Sequence, residues 1–422
     1  MWAPTAVGSA VLAAEIPAAT ALVSRAPDGA DALAAIGAAM SVLVIANSVA
    51  LAMAPLVVTA EGTRTPRALL RYSLLVGLCG GALLVAVAAI PPLAAPLPPE
   101  FRDDFRYCLL AAAPAPPAVA LRRYLHGRLI LAGGTGRIAS ATFIRVGVTV
   151  LTAAACLALT PLPAAAVGGL SPAVGAFAEA GLLALAVRRL PRSPGQEAAE
   201  GGRGRRSLPA EHARLAAPFL VNMAPHLVTT IAITAAPEPA ASLTVWTALY
   251  GLLLLLTVPM LDLDSVTAAR LRKDPADPGP LRLAWAVASA AGGLLLLGTV
   301  TPLAGLYVTD VIAVPPGPAE LGLRWLPVLV AAPPLWAVRG YLRGRAMAAG
   351  RSDLLPQSVA AHVVVLAGAC AALPATGLPG VACASIALVA ALAAETAALL
   401  ARLRAAARVA APEPGGSRTG AR

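Results

Sequence analysis

Apolar runs of about 20 residues, the length that crosses a bilayer core as a helix, recur along this chain, and the breaks between them collect most of the charge. Twelve can be placed: near 5–24, 34–57, 69–93, 107–126, 138–160 and 167–187, then near 213–234, 241–262, 281–304, 322–345, 353–373 and 379–401. Lipid offers backbone N–H and C=O groups no partner, so an apolar segment of this length must satisfy them internally as helix. At 58% hydrophobic and 13% charged residues and a mean hydropathy of +0.77, a water-soluble core is excluded. The expected fold class is an all-α polytopic membrane protein of about twelve transmembrane helices.

The net charge of +11 does not point to nucleic acid, because the arginines recur in short loops and form no aromatic-rich stripe. They report topology instead. Alternate loops place Arg64, Arg67, Arg71, Arg122, Arg123, Arg128, Arg137, Arg188, Arg189, Arg270, Arg272, Lys273, Arg339, Arg343 and Arg345 on one face, whereas the other holds Arg25, Arg102, Arg106 and Arg324. Basic flanks are retained on the cytoplasmic side, so both termini are expected there, in the cell (inner) membrane of a bacterium. No basic stretch precedes the first apolar run, which argues against a cleaved signal peptide. The Pro-, Gly- and Arg-rich stretch 189–212 reads as a cytoplasmic linker between bundles 1–188 and 213–404, and the turn-rich stretch 405–422 as a disordered tail.

The two halves repeat. Residues 113–134 (APAPPAVALRRYLHGRLILAGG) align without a gap on 330–351 (VAAPPLWAVRGYLRGRAMAAGR) at a shift of 217. Pro116 and Pro117 meet Pro333 and Pro334, Arg122 meets Arg339, Tyr124 meets Tyr341, and Gly127 and Arg128 meet Gly344 and Arg345. Pro17 matches Pro225, Pro55 matches Pro259, and Glu179 approximately matches Glu395. A six-helix unit, having an even number of spans, repeats in the same orientation about an axis along the membrane normal. The expected architecture is therefore two parallel-oriented six-helix bundles, with substrate near the midplane between them.

The segment ADALAAIGAAMSVL at 30–43, with Pro17 upstream, resembles the start of the second helix and the first-helix proline of multidrug and toxin extrusion (MATE) transporters, within the multidrug/oligosaccharidyl-lipid/polysaccharide exporter superfamily. PPLWAVRGYLRG at 333–344 and LPATGLPGVACASIALVAALAAETAAL at 373–399 are also similar to its progressive ankylosis branch. The resemblance implies a MATE-like fold and solute efflux by antiport. Many MATE transporters carry an acidic residue late in the first helix, where this chain has Leu22, Val23 and Ser24, with Asp28 and Asp31 following later.

Ionisable groups inside spans are costly and mark cavities or partners. Glu15 in the first span is the sharpest candidate, as a proton carrier or, if the span starts later, an interfacial carboxyl. Asn222 and His226 lie four apart on one face of the seventh span and are expected to form a polar cluster with Glu15 across the central cleft; a carbonyl-bonded histidine is the plain alternative. Glu179 and Glu395, being matched, are expected to share a role, with structural pairing ahead of transport. Asp262 and Asp264, near Arg270 and Arg272, suggest a solvated charge cluster or a gate salt bridge. Arg122 and Arg339 are read first as topology anchors, with clamps at the cytoplasmic ends of spans four and ten, or contacts to an anionic substrate or lipid headgroup, as the alternatives.

No G-x-x-x-x-G-K loop occurs, and the four histidines, His126, His212, His226 and His362, stand apart in sequence without metal-ligand spacing. Neither ATP-driven transport nor an enzyme is expected, and no cofactor or metal beyond a coupling H+ or Na+. The expected partners are the lipid bilayer and a small-molecule or lipid-linked substrate, and no nucleic acid. The leading reading is a secondary exporter of a small organic solute. The second is a flippase for lipid-linked oligosaccharide or polysaccharide precursors, and the third a non-transporting membrane scaffold presenting its arginine-rich linker.

Overall fold

Helix is what the apolar runs become. The structure, a computed structural model, describes residues 2–60, 63–90, 96–132, 134–189, 207–260, 262–351 and 353–410, and contains no strand among them. The first half comprises α1 (Trp2–Val23), α2 (Gly29–Leu51), α3 (Met53–Thr59), α4 (Pro66–Ala89), α5 (Arg102–Ala112), α6 (Ala115–Leu131), α7 (Thr135–Leu159) and α8 (Ala164–Arg188). The second comprises α9 (Leu208–Ala235), α10 (Pro239–Thr257), α11 (Leu263–Lys273), α12 (Gly279–Val300), α13 (Pro316–Leu329), α14 (Ala332–Ala348), α15 (Leu354–Ala372) and α16 (Gly380–Ala410).

Among the described residues, ten helical stretches are long and apolar enough to cross a membrane. The other two expected spans are helical but outside that set. For the first only Ala10–Val23 qualifies as a shorter apolar helix, and the stretch 102–131 carries Arg102, Asp103, Asp104, Arg106, Arg122, Arg123 and Arg128. The fold is inside-out relative to a soluble protein. Leu75, Leu78, Leu151, Leu159 and Val300 are exposed, while the core is dominated by alanine, because lipid solvates leucine as well as another helix does and small residues let backbones approach.

Four expected spans are broken rather than continuous. Spans two and eight divide at Ala52 and at the 3-10 turn Val258–Met260, close to the matched Pro55 and Pro259. Spans four and ten divide before Pro116–Pro117 and Pro333–Pro334. Proline lacks an N–H and is tolerated in the first helical turn, where that donor is unpaired anyway, so each break falls where it costs least. The breaks recur at equivalent places in both halves and bend equivalent helices.

The repeated motif has a packing reason at nearly every position. A Cβ on Gly80 would lie 2.8 Å from the Pro116 side chain and one on Gly292 2.8 Å from that of Pro334, so the prolines seat on glycines of α4 and α12. A Cβ on Gly127 would lie 2.6 Å from Val57 Cβ, and one on Gly344 2.4 Å from the Asp264 carbonyl oxygen. These glycines let α6 meet α3 and α14 meet α11. We expect Gly344→Ala to cost about 1–3 kcal/mol, the usual range for overpacking. Gly127→Ala should fall in the same range, since it meets the stiff Cβ of Val57 and, at 2.9 Å, the Ala54 carbonyl oxygen. Lowered melting temperatures of the two purified variants check this.

Within the first half α8 packs on α5, α6 and α7, α4 on α6, and α1 on α7; within the second α16 packs on α9, α14 and α15, and α14 on α11 and α12. The halves meet through α1 and α2 against α9 and α10. Among the hydrogen bonds that cross this interface are tethers at opposite ends of α2. Beyond its start, Arg25 donates to the carbonyls of Val311 (2.9 Å) and Asp310. Near its end, His212 bonds the Val49 carbonyl at 2.9 Å and the Tyr72 hydroxyl at 2.9 Å.

Two expected boundaries are corrected. Leu208–His212, assigned to the linker, begin α9: Pro209 sits in its first turn and buried His212 anchors it, while 190–206 lie outside the described residues. Helix α16 continues through residues 405–410 of the expected tail, and 411–422 lie outside the described residues.

Candidate functional site

Glu179 on α8 is fully buried, and a carboxylate in lipid-embedded protein needs cationic partners. They come from two neighbouring helices. Arg122 on α6 donates from Nη1 to Oε2 at 2.8 Å, and Arg145 on α7 from Nη1 to the same oxygen at 3.3 Å. Thr142 donates to Oε1 at 3.1 Å, and His126 Nε2 stands 3.5 Å from that oxygen.

Arg145 also holds Glu15 of α1, 2% exposed. Its Nε donates to Oε1 at 2.8 Å and its Nη2 to Oε2 at 2.6 Å, the bidentate geometry that makes arginine–carboxylate pairs strong and directional. Thr149 adds a bond to Oε1 at 2.7 Å. One guanidinium therefore ties α1 to α7 and α8. A Cβ on Gly175 would stand 2.1 Å from Thr149 Oγ1, so that glycine leaves the space in which the network sits.

The second half rebuilds the site around Glu395 on α16. Arg339 on α14 donates from Nη1 to Oε2 at 2.9 Å, Arg343 Nε lies 3.9 Å from Oε1, and His362 Nδ1 on α15 lies 3.2 Å from Oε2. At the repeat shift of 217, Arg122 corresponds to Arg339, His126 to Arg343 and Arg145 to His362. The halves thus surround their carboxylates from the same three positions, with arginine and histidine exchanged at two of them. The guanidinium of Arg339 also lies over the Trp336 ring, 4.5 Å from its centroid.

Several expectations change here. Arg122 and Arg339 are interior residues, 4% and 5% exposed, rather than interfacial anchors, because each is drawn in by a buried carboxylate. Glu179 and Glu395 do occupy equivalent environments. Glu15 does not cluster with Asn222 and His226; its partners lie in its own half. His226 Nε2 pairs instead with the Tyr250 hydroxyl at 3.0 Å, ring to ring at 4.5 Å, and Asn222 is exposed. Asp264 accepts from the Ser265 amide, and Arg270 pairs with Asp277 at 2.8 Å, since the turn after α11 folds Asp277 back onto it. No gate bridge from Asp262 or Asp264 to these arginines forms. The four histidines that stand apart in sequence each find an ionic or phenolic partner in space, and His212 a carbonyl besides; among the described residues no group of three or more His, Cys, Asp or Glu could hold a metal ion. Arg145 is not among the candidates the sequence offers, though two signals mark it: an arginine inside an apolar run, and a histidine at its repeat position.

No protein-family profile and no curated protein sequence matches the chain. Solved structures do match it across nearly its whole length. One is the inward-facing conformation of a multidrug resistance MATE family transporter of the MOP superfamily, with a TM-score of 0.69 and 14% identity over 95% of this chain and 96% of that one. An outward-facing conformation of such a transporter gives 0.67 and 17% over 96% and 95%. The lipid II flippase MurJ, in an inward closed conformation, gives 0.66 and 12% over 96% and 87%. Ten membrane-length apolar stretches, proline breaks repeated in both halves and full-length superposition on these structures together show that the chain has the fold of MATE transporters and MurJ.

Proposed function

We propose that this chain is a secondary active transporter that exports a small organic solute by alternating access, coupled to a proton or sodium gradient. The carrying observation is that its whole length matches the fold of transporters captured facing inward and facing outward. Alternating access requires the two bundles to rock about a common interface. The contact of α1 and α2 with α9 and α10, tethered near opposite ends of α2, supplies one. Coupling rests on Glu15, Arg145 and Glu179, which join the interface helix α1 to the body of the first bundle. An even span count, as in the twelve expected, leaves both termini on one side, and the arginine-rich loops of that side support its being the cytoplasm.

The test is flux into proteoliposomes holding the full-length protein, over a panel of organic cations, anions and neutral solutes, with proton and sodium gradients imposed separately. Uptake of at least one solute that collapses when the gradient is dissipated is expected. Movement of a lipid-linked pyrophosphoryl saccharide, with no solute transported, would put the flippase reading in its place. The solute reading stands first because Arg122, Arg145 and Arg339 are each bonded to a carboxylate within their own half, leaving those charges already committed. Deleting 195–206 should leave flux largely intact, which a linker-presenting scaffold would not predict.

A further inference from the structure

Helices α7 and α8 pack side by side and each turns one face outward: Phe143 and Ile144 on α7 and Phe177 and Leu185 on α8 are 46% to 52% exposed. An open groove of about 540 Å³ runs along this face, lined by Ile144, Ala178, Leu182, Leu185 and, at one end, Arg188. Gly181 lies among them, and a Cβ added there would meet nothing within 4 Å. From Ala178 to Arg188 the helix rises about 15 Å at 1.5 Å per residue, half of a hydrocarbon core about 30 Å thick. The groove therefore has the reach of one leaflet, and among the described residues that line it Arg188 alone is charged.

The Arg188 end is basic and has no counter-charge nearby. Arg137, in the first turn of α7, donates from Nη1 to the Ala186 carbonyl at 3.3 Å, which sets its guanidinium beside the last turn of α8. Arg188 and Arg189 are exposed there as well, and neither makes an ion pair among the described residues. Between Asp104 and Glu179 the sequence holds no acidic residue, and Glu179 is buried against Arg122 and Arg145. The stretch that follows, 190–206, carries four arginines against two glutamates, so its own net charge opposes seating it on this end. A basic flank by itself reports topology. What sets this one apart is the apolar groove that ends on it.

We propose that the groove binds an acidic phospholipid of the leaflet on the arginine-rich side, with one acyl chain along α8 against Ile144 and the phosphate on Arg188, Arg137 and Arg189. Phosphate oxygens match the guanidinium fork, whereas a zwitterionic headgroup brings an ammonium that three arginines repel. Ile144 precedes Arg145, which holds Glu15 and Glu179, so a lipid seated here packs on the part of α7 that carries the buried network. The inference concerns the lipid face and stands whether or not the chain transports a solute.

The test is native mass spectrometry of the purified full-length protein in a neutral detergent, titrated with phosphatidylglycerol or with phosphatidylcholine of the same acyl chains. One phosphatidylglycerol is expected to be retained at concentrations where phosphatidylcholine is not. At about five- to sixfold per arginine, Arg137→Gln combined with Arg188→Gln should weaken that binding about 30-fold. Arg402→Gln combined with Arg404→Gln removes equal charge from exposed positions near the end of α16 and should leave the lipid bound. Gly181→Leu puts a side chain into the groove with no change of charge and should displace the lipid, while the open space at Gly181 lets the protein fold. If phosphatidylcholine is retained as well as phosphatidylglycerol, if water-soluble glycerol phosphate competes the lipid off, if both arginine pairs weaken binding alike, or if Gly181→Leu binds as the wild type does, the proposal is wrong.

Discussion

In Glu15→Gln, gradient-driven flux should fall about 5- to 150-fold, the span of a coupling free energy of 1–3 kcal/mol, while solute exchange without an ion gradient persists. The amide can still accept from Arg145, so shape is retained; what disappears is the charge that holds this guanidinium between α1 and Glu179. Hydrogen bonds to charged groups contribute about 1.5–3 kcal/mol each, enough to bias the position of α1 without unfolding a bundle. Pro17, two residues along the same helix, removes one backbone bond and gives α1 a point at which to bend. Glu15→Asp keeps the charge on a shorter side chain and should retain part of the coupled flux. Coupled flux unchanged in Glu15→Gln would remove Glu15 from the coupling path, and loss of exchange together with coupled flux would make its role structural.

The second large effect concerns the matched carboxylates. Removing one partner of a buried ion pair typically costs about 3–5 kcal/mol, because the other charge is left buried and unpaired, whereas replacing both by apolar side chains is often neutral. Glu179→Leu and Glu395→Leu should therefore each lower stability by that amount. The double replacements should differ. Arg122→Met with Glu179→Leu leaves Arg145 still paired with Glu15, so most of the loss should be recovered. Arg339→Met with Glu395→Leu leaves Arg343 without the carboxylate it faces, so less should return. Equilibrium unfolding in detergent of the wild type, these four variants and the single variants Arg122→Met and Arg339→Met, analysed as two double-mutant cycles, measures the difference. Equal recovery in both halves would show that the Arg145–Glu15 pair gives the first site no such advantage.

Much of the site's symmetry is legible before any fold. The ungapped match of 113–134 on 330–351 puts Arg122 with Arg339 in register, and the same shift brings Glu179 to within one residue of Glu395. It cannot show that each arginine reaches its carboxylate. Helix α8 is apolar around its circumference, so no hydrophobic stripe says which face meets α6 and α7. The expected cluster of Glu15 with Asn222 and His226 fails for the same reason: spacing along one helix states which residues share a face, and nothing about the helix opposite. Arg122 and Arg339 count among loop charges in the sequence because an arginine near a span end is usually interfacial, and only the buried acid on a neighbouring helix reverses that.

The recurring apolar runs by themselves determined the membrane class, the helical backbone and the duplicated layout, because lipid leaves a spanning segment no other way to satisfy its backbone. Proline positions determined where four spans break, through a missing N–H that no neighbour needs to supply. Pairing was decided by tertiary structure alone: which helix offers Arg145 to Glu15, and how histidine and arginine trade places between the halves. Those outcomes depend on the rotation of each helix about its axis. In a chain whose cores are mostly alanine and glycine, that rotation is set by close packing and by buried charges finding each other, not by any pattern along one segment.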